Sequence, residues 1–460
     1  MRGRIDILKS PRNNQQQIIG EPILPTLLKL SWPIVIGQGM HLMYQLADTF
    51  WVGRLGPEYL AAISLSFPLL FIVYSMGAGF SVAGVALVSQ YTGAEKPKMA
   101  SRATGQIFVV AILISIFFTA AALYFSETMF ILIGAEEEVL PLALEYFRIY
   151  VSGIPIIFIY YIFSSVLEGI GDTITPMKIK MFTVVLNIIL DPFLIFGWSV
   201  FPEMGIGGAA LATVLSRLAA GLVGIYIMFW DLSAIKLSLK DFYPDLAMIK
   251  KIFKIGTPAA LGDSAMAVAL TVMTSIVAGF GTITLAAWGI ANRITAVIRM
   301  PAFGMGRATG IMVGQHLGAE QPSEANKVSW LGTAVTFGSM LVVAVLFLFI
   351  SPNLVSLFTE DISVINIGAE YLRISAFAFA FLGAQIVLSG ALNGAGKTIQ
   401  QTFFRLLTLW IFQIPLSYLL AYQFNFGRQG IWWGILLAKI IGLAILMVWF
   451  NKGSWQSKEI

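Results

Sequence analysis

The sequence predicts an all-α polytopic membrane protein of twelve transmembrane helices, arranged as two six-helix lobes related by a parallel internal repeat. Three observations carry this. The 460 residues are 58% hydrophobic and only 12% charged, whereas soluble domains run near 45–50% and 25%. The apolar runs are long enough for spans of about 20 residues. The chain also matches itself at one constant offset of 225 residues, as in Gly93-Ala94-Glu95-x-Pro97 against Gly318-Ala319-Glu320-x-Pro322.

Apolar runs between polar punctuation place spans near 27–53, 60–91, 101–125, 139–166, 175–198 and 205–231, then near 250–280, 285–315, 328–351, 364–391, 399–423 and 430–451. Residues 1–24 are polar and basic without an apolar stretch ending in a small-residue cleavage site, and read as a retained cytoplasmic tail. An N-lobe over 25–235, a cytoplasmic linker over 236–249, a C-lobe over 250–452 and a tail over 453–460 follow. Basic residues gather on one side. Arg2, Arg4, Lys9, Arg12 and Lys29 flank span 1, Lys96, Lys98 and Arg102 join spans 2 and 3, and Lys236, Lys240, Lys250, Lys251 and Lys254 join the lobes. Acids take the other side, with Glu136, Glu137, Glu138, Glu203, Glu360 and Asp361. The positive-inside rule then puts both termini in the cytoplasm of a cell-membrane protein.

Composition excludes several functions. The absence of Cys removes disulfides, thiolate nucleophiles and Cys-based metal sites, and two histidines, His41 and His316, are too few for a His-rich centre. The net charge of +5 is scattered between apolar runs rather than gathered with aromatics, which argues against nucleic acid. There is no Walker A, GxSxG or HExxH pattern, so an enzyme is not expected, and no filter segment suggests a channel.

The repeat holds without a gap. Pro33 pairs with Pro258, Gly56 with Gly281, Leu60-Ala61-Ala62 with Leu285-Ala286-Ala287, Glu145-Tyr146-x-Arg148-Ile149 with Glu370-Tyr371-x-Arg373-Ile374, and Gly169-x-Gly171-x-Thr173 with Gly394-x-Gly396-x-Thr398. An even number of spans per repeat gives both halves the same orientation. Parallel repeats of this kind place a cavity between bundles and work by alternating access, although a duplicated scaffold without transport would share the pattern.

Function should lie where the symmetry breaks. Asp48 in span 1 maps to Met273, and Asp191 in span 5 maps to Leu416. An intramembrane carboxylate is costly and by default functional. Tyr44 precedes Asp48 by four residues and Asn187 precedes Asp191 by four, so each pair shares a helix face. Two acids facing one dry pocket cannot both ionise cheaply. The pair should therefore hold a proton or a Na⁺ ion, for which Asp48, Asn187 and Asp191 offer oxygen ligands. Asp191 precedes Pro192, so a plain helix end near the outer surface is the alternative reading. Pro33 lacks an amide donor and permits a kink that would couple ion binding to cavity shape, and its pairing with Pro258 fits a shared structural kink equally. His41 lies one turn before Tyr44 and titrates in the neutral range in water. Asp263 is the one acid near the start of the second lobe. The 18 Met and 34 Phe suit both lipid-facing packing and an adaptable apolar cavity.

From Leu46-Ala47-Asp48 through Trp51-Val52-Gly53-Arg54-Leu55-Gly56 and Leu60-Ala61-Ala62, the chain resembles the multidrug and toxic compound extrusion (MATE) transporters, in their DinF-like prokaryotic branch. The likeness continues through Gly93-Ala94, Glu168-Gly169-Ile170-Gly171-Asp172, Asn187 to Pro192 and Gly207 to Thr213, over residues 25–450. It implies secondary active multidrug efflux: organic cations or amphipathic drugs leave by antiport with H⁺ or Na⁺, with no cofactor and a monomer in the lipid bilayer as the expected unit. It further implies that Asp48, Asn187 and Asp191 bind the coupling ion with Tyr44 and Thr213 lining the same pocket, and that Tyr44, His41, Asn187 and Thr213 face substrate. No deep glutamate follows Pro258, unlike the branch that uses one in span 7. A flippase for a lipid-linked oligosaccharide is the alternative, and it would use arginines such as Arg217, Arg293, Arg299 and Arg307, whose plainer role is helix-end pairing.

Overall fold

The computed structural model describes residues 18–229 and 235–457; the stretch 230–234, at the end of the predicted N-lobe, lies outside the described residues, as do most of the N-terminal tail and the last three residues. Among the described residues there are helices and connecting loops and no strand. The first repeat contains α1 (Ile23–Val52), α2 (Pro57–Gly93), α3 (Pro97–Leu132), α4 (Leu140–Ser152), α5 (Ile154–Gly169), α6 (Ile174–Ile195) and α7 (Gly205–Phe229). The second contains α8 (Leu246–Ala278), α9 (Thr282–Gly318), α10 (Pro322–Ser356), α11 (Ile362–Gly394), α12 (Thr398–Gln423) and α13 (Gly427–Phe450).

Helices α4 and α5 form one span bent by 48°, which restores twelve. The cause is local. Pro155 supplies no amide to the helical ladder next to Gly153, whereas its repeat counterpart is Ala380 and α11 runs unbroken. Eight helices are long and apolar enough to cross a membrane by length and composition, or nine with the bent pair. Helices α1, α6 and α9 fall short of that measure; Asp48, Asn187, Asp191 and Arg299 are among their polar and charged residues.

The repeat is written into the backbone. Left-handed or extended positive φ recurs at the 225 offset in Gly56 and Gly281, in Glu95 and Glu320, and in Gly171 and Gly396. The turn after α2 is closed by Ala94 N to Gln90 O, Glu95 N to Thr92 O and Lys96 N to Tyr91 O. The turn after α9 repeats it with Ala319 N to Gln315 O, Glu320 N to Leu317 O and Gln321 N to His316 O. Glu95 and Glu320 are the non-glycine residues that bear this left-handed turn in the two repeats.

The chain forms two compact units, one of Ile18 with Ile36–Ala260 and the other of Ile19–Val35 with the residues from Leu261 onward. The divisions fall inside α1 and α8, each two residues after the repeat prolines Pro33 and Pro258, whereas the chain-order lobes read from the sequence divide at the 236–249 linker. Within the first unit, α8 crosses α2 where a methyl at Gly79 would lie 2.6 Å from the Gly256 carbonyl oxygen and from Ala260. Within the second, α1 crosses α9 where a methyl at Gly304 would collide with Val35 and stand 3.0 Å from the Ser31 carbonyl oxygen. These residues are exact counterparts, and small residues let the backbones meet. In the second unit α9 and α11 approach at Gly306, Gly310, Gly390 and Gly394, where added methyls would strike facing carbonyls.

Candidate functional site

In the first unit α1, α6 and α7 turn their polar faces toward one another. Along α1, His41, Tyr44 and Asp48 follow at helical spacing. Along α6, Asn187 and Asp191 are one turn apart and fully buried, and on α7 Thr213 is 1% exposed. The Tyr44 hydroxyl and Thr213 Oγ1 are 2.5 Å apart, which ties α1 to α7. Thr213 Oγ1 also lies 3.2 Å from the Ala209 carbonyl oxygen, to which it can donate. Asn187 Nδ2 donates to Asp191 Oδ1 at 3.1 Å. Asp48 lies beside Tyr44 and Asp191. The structure thus joins four residues singled out by broken symmetry and Thr213.

The hydrogen-bond accounting of this cluster does not close. Asp48 Oδ1, Asn187 Oδ1 and Asp191 Oδ2 are all buried without a partner. Each such oxygen costs about 1–3 kcal/mol, and two facing carboxylates add repulsion. Unpartnered acceptors on neighbouring side chains are what a proton or a small hard cation satisfies. Among the described residues no group of three His, Asp or Glu side chains forms a metal site, so a Na⁺ ion here would need Asn187 as its third ligand.

A basic layer lies one turn further along the helices. Arg217, 7% exposed, sits four residues after Thr213, about 6 Å along α7. Its guanidinium lies 5.5 Å from the ring centre of Tyr44 and 5.1 Å from that of Tyr160, a cation–π pairing. Tyr146 and Tyr150 pack together at 5.7 Å, Tyr150 meets Tyr74 at 6.0 Å, and Tyr74 meets Tyr161 at 6.3 Å, building a wall of phenols behind Tyr44. His41 stacks on Tyr44 at 6.0 Å and faces Lys180 and Arg217. Lys180 runs beside α1, where a methyl at Gly37 would touch its Cδ at 3.6 Å.

Sequence reasoning missed Lys180 and the tyrosines. The signal was available: Lys180 maps at the 225 offset onto Arg405, a cation at the same level of both repeats. In the second unit the counterpart of the acidic cluster is closed. Met273 is fully buried, Ala269 replaces Tyr44, and Trp432, which replaces Gly207, stacks on Trp288 at 5.6 Å and against Tyr371 at 4.7 Å. Asp263 instead pairs with Arg405, 2.5 Å away. Of the remaining candidate arginines, Arg293 is exposed and Arg299 and Arg307 are half-buried on α9. Pro33 lies inside α1, which continues through it.

Comparison with known proteins agrees with this frame. The MatE family profile matches residues 33–193 and again 258–419, one match per repeat at the 225 offset. The probable multidrug resistance protein YpnP of Bacillus subtilis is 29% identical over 440 residues, 95% of this chain and 97% of that one. A protein of Shewanella oneidensis named as an FAD transporter is 28% identical over 405 residues, 88% and 90% of the two chains. A solved outward-facing multidrug resistance MATE family transporter superposes with a TM-score of 0.89 at 25% identity, covering 96% of this chain and 98% of that chain.

Proposed function

Because the chain belongs to the MATE family of multi-pass membrane transporters, we propose that it exports amphipathic compounds, organic cations among them, by antiport with H⁺ or Na⁺, with Asp48, Asn187 and Asp191 holding the coupling ion. The observation that supports this best is the trio of buried, unpartnered oxygens on these three residues. A proton or Na⁺ completes them and removes the repulsion between Asp48 and Asp191. Entry of the ion draws α1 and α6 together through the acids. The Tyr44–Thr213 contact passes that change to α7 and, through Arg217, to the tyrosine wall.

Substrate meets the same elements, since Tyr44, His41, Asn187 and Thr213 lie along one polar stripe of α1, α6 and α7. Competition between ion and substrate for this stripe is the coupling. Pro33, which supplies no amide donor within α1, is the residue at which α1 yields. The location is the cell membrane with both termini cytoplasmic, and the working unit is a monomer. Family membership alone does not set the cargo, because similar proteins are named for multidrug resistance and for FAD transport.

The test is counterflow in proteoliposomes with imposed pH or Na⁺ gradients and the fluorescent cation rhodamine 6G. Gradient-driven movement that depends on Asp48 supports the reading and names the ion. No movement with either gradient removes it and favours a lipid flippase.

A further inference from the structure

The repeats also break symmetry in their cations. Arg405 is the counterpart of Lys180, but Lys439 stands where the first repeat has Val214, and Arg299 where it has Tyr74. Arg405 is seven residues into α12, and the other two lie deeper in their helices. Lys439 is twelve residues into α13, about 18 Å from its start, and Arg299 is seventeen residues into α9. All three belong to the second unit, and the charges of Arg299 and Arg405 reach Lys439. The acid Asp263 is already held by Arg405.

The surroundings consume hydrogen bonds without neutralising charge. Arg405 Nη2 also reaches Met266 Sδ at 3.1 Å, and Arg299 Nε donates to the Thr295 carbonyl at 3.3 Å. Gln385 Nε2 donates to the Lys439 carbonyl at 2.9 Å. The Lys439 side chain, on a residue 8% exposed, makes no hydrogen bond or ion pair among the described residues. A buried ammonium without a counter-charge is expensive, and like charges beside it raise the cost. Directly after Arg405 the helix widens to π-type hydrogen bonding over Leu407–Gln413, a distortion that often marks functional sites. The equivalent stretch of α6 is regular.

We propose that Arg299, Arg405 and Lys439 form a second binding site, in the second unit, for an oxyanion (carboxylate or phosphate) carried on an apolar body. This rests on the export reading and names a substrate class for it: anionic amphiphiles alongside cations. The anion takes the free N–H groups of Lys439 and the guanidinium edges that Asp263 leaves open, as charge-assisted hydrogen bonds. The acidic cluster of the first unit and this basic cluster give the transporter one site for each sign of charge.

The test measures equilibrium binding by fluorescence polarisation to the purified full chain in neutral detergent. The probes share a xanthene body: fluorescein is anionic and rhodamine 6G cationic. For Lys439→Met and Lys439→Gln, each checked for a monodisperse folded species, the ratio of fluorescein to rhodamine 6G affinity falls about tenfold or more. An unchanged ratio in both variants, or absence of saturable fluorescein binding to the wild type, overturns the proposal. Repeating the wild type in nanodiscs of phosphatidylcholine with and without phosphatidylglycerol identifies the source of the anion. Displacement of fluorescein by phosphatidylglycerol assigns the site to a lipid headgroup, and no displacement assigns it to a soluble ligand. Failure of rhodamine 6G export in proteoliposomes with fluorescein binding intact would remove the export reading and leave this site standing.

Discussion

Replacing Asp48 by Asn keeps the size and shape of the side chain and removes one of two negative charges from a cluster with three unpartnered oxygens. A charge-assisted contact is worth about 1.5–3 kcal/mol, so the coupling ion should bind about 10- to 150-fold more weakly. That loss is readable as stability. An ion present at about 100 times its Kd stabilises a protein by about 2.7 kcal/mol, and weakening the site about 100-fold leaves about 0.4 kcal/mol. Thermal unfolding of the detergent-solubilised protein over a Na⁺ series at fixed pH, and over a pH series without Na⁺, measures this directly. The wild-type midpoint rises with the ion that couples, the Asp48→Asn midpoint stays flat, and gradient-driven export of rhodamine 6G falls to background. Without the ion, the variant unfolds no earlier than the wild type, because the repulsion between the two carboxylates has gone. Full export by Asp48→Asn, or an ion-dependent midpoint equal to the wild type's, would refute the reasoning and move the coupling site elsewhere.

Asp191→Asn should weaken ion binding more than rhodamine 6G binding; equal loss of both in parallel titrations would make Asp191 structural. Thr213→Val removes the hydroxyl partner of Tyr44 and should cost about 1 kcal/mol of stability, with a several-fold loss of substrate affinity by polarisation. Gly390→Ala places a methyl against the Gly306 carbonyl and should lower stability by about 1–3 kcal/mol, whereas Gly338→Ala, inside α10 with open space around it, should raise it by up to about 1 kcal/mol. Gln106 donates to the carbonyls of Asp241 and Tyr243 at 2.7 and 2.8 Å and accepts from Asp245 N at 2.9 Å. Gln106→Ala should therefore release the linker and speed limited proteolysis within 236–249.

Much of the architecture was readable in the row of residues because duplication preserves backbone demands. The left-handed positions Glu95 and Glu320, the glycine pairs and the two prolines recur at a fixed offset whatever the surrounding packing. Apolar length set the spans, and the unmatched acids Asp48 and Asp191 pointed to the candidate site, since lipid tolerates a carboxylate only where something else satisfies it. The bend at Gly153-Ile154-Pro155 was equally present as a glycine and a proline that Ala378 and Ala380 lack.

Other features are properties of three dimensions. No sequence distance places Arg217 under Tyr44 and Tyr160, or Lys439 beside Arg299 and Arg405, because these meetings depend on how helices far apart in the chain rotate and cross. The same holds for the division of α1 and α8 between units, which the contacts of Gly79 and Gly304 reveal and chain order conceals. By itself the sequence determined the number of spans, their repeat and which charges break it, since burial and backbone conformation act on each residue locally. Only the tertiary structure decided which of those charges face one another and which are left without a partner, because electrostatic cost is set by neighbours in space.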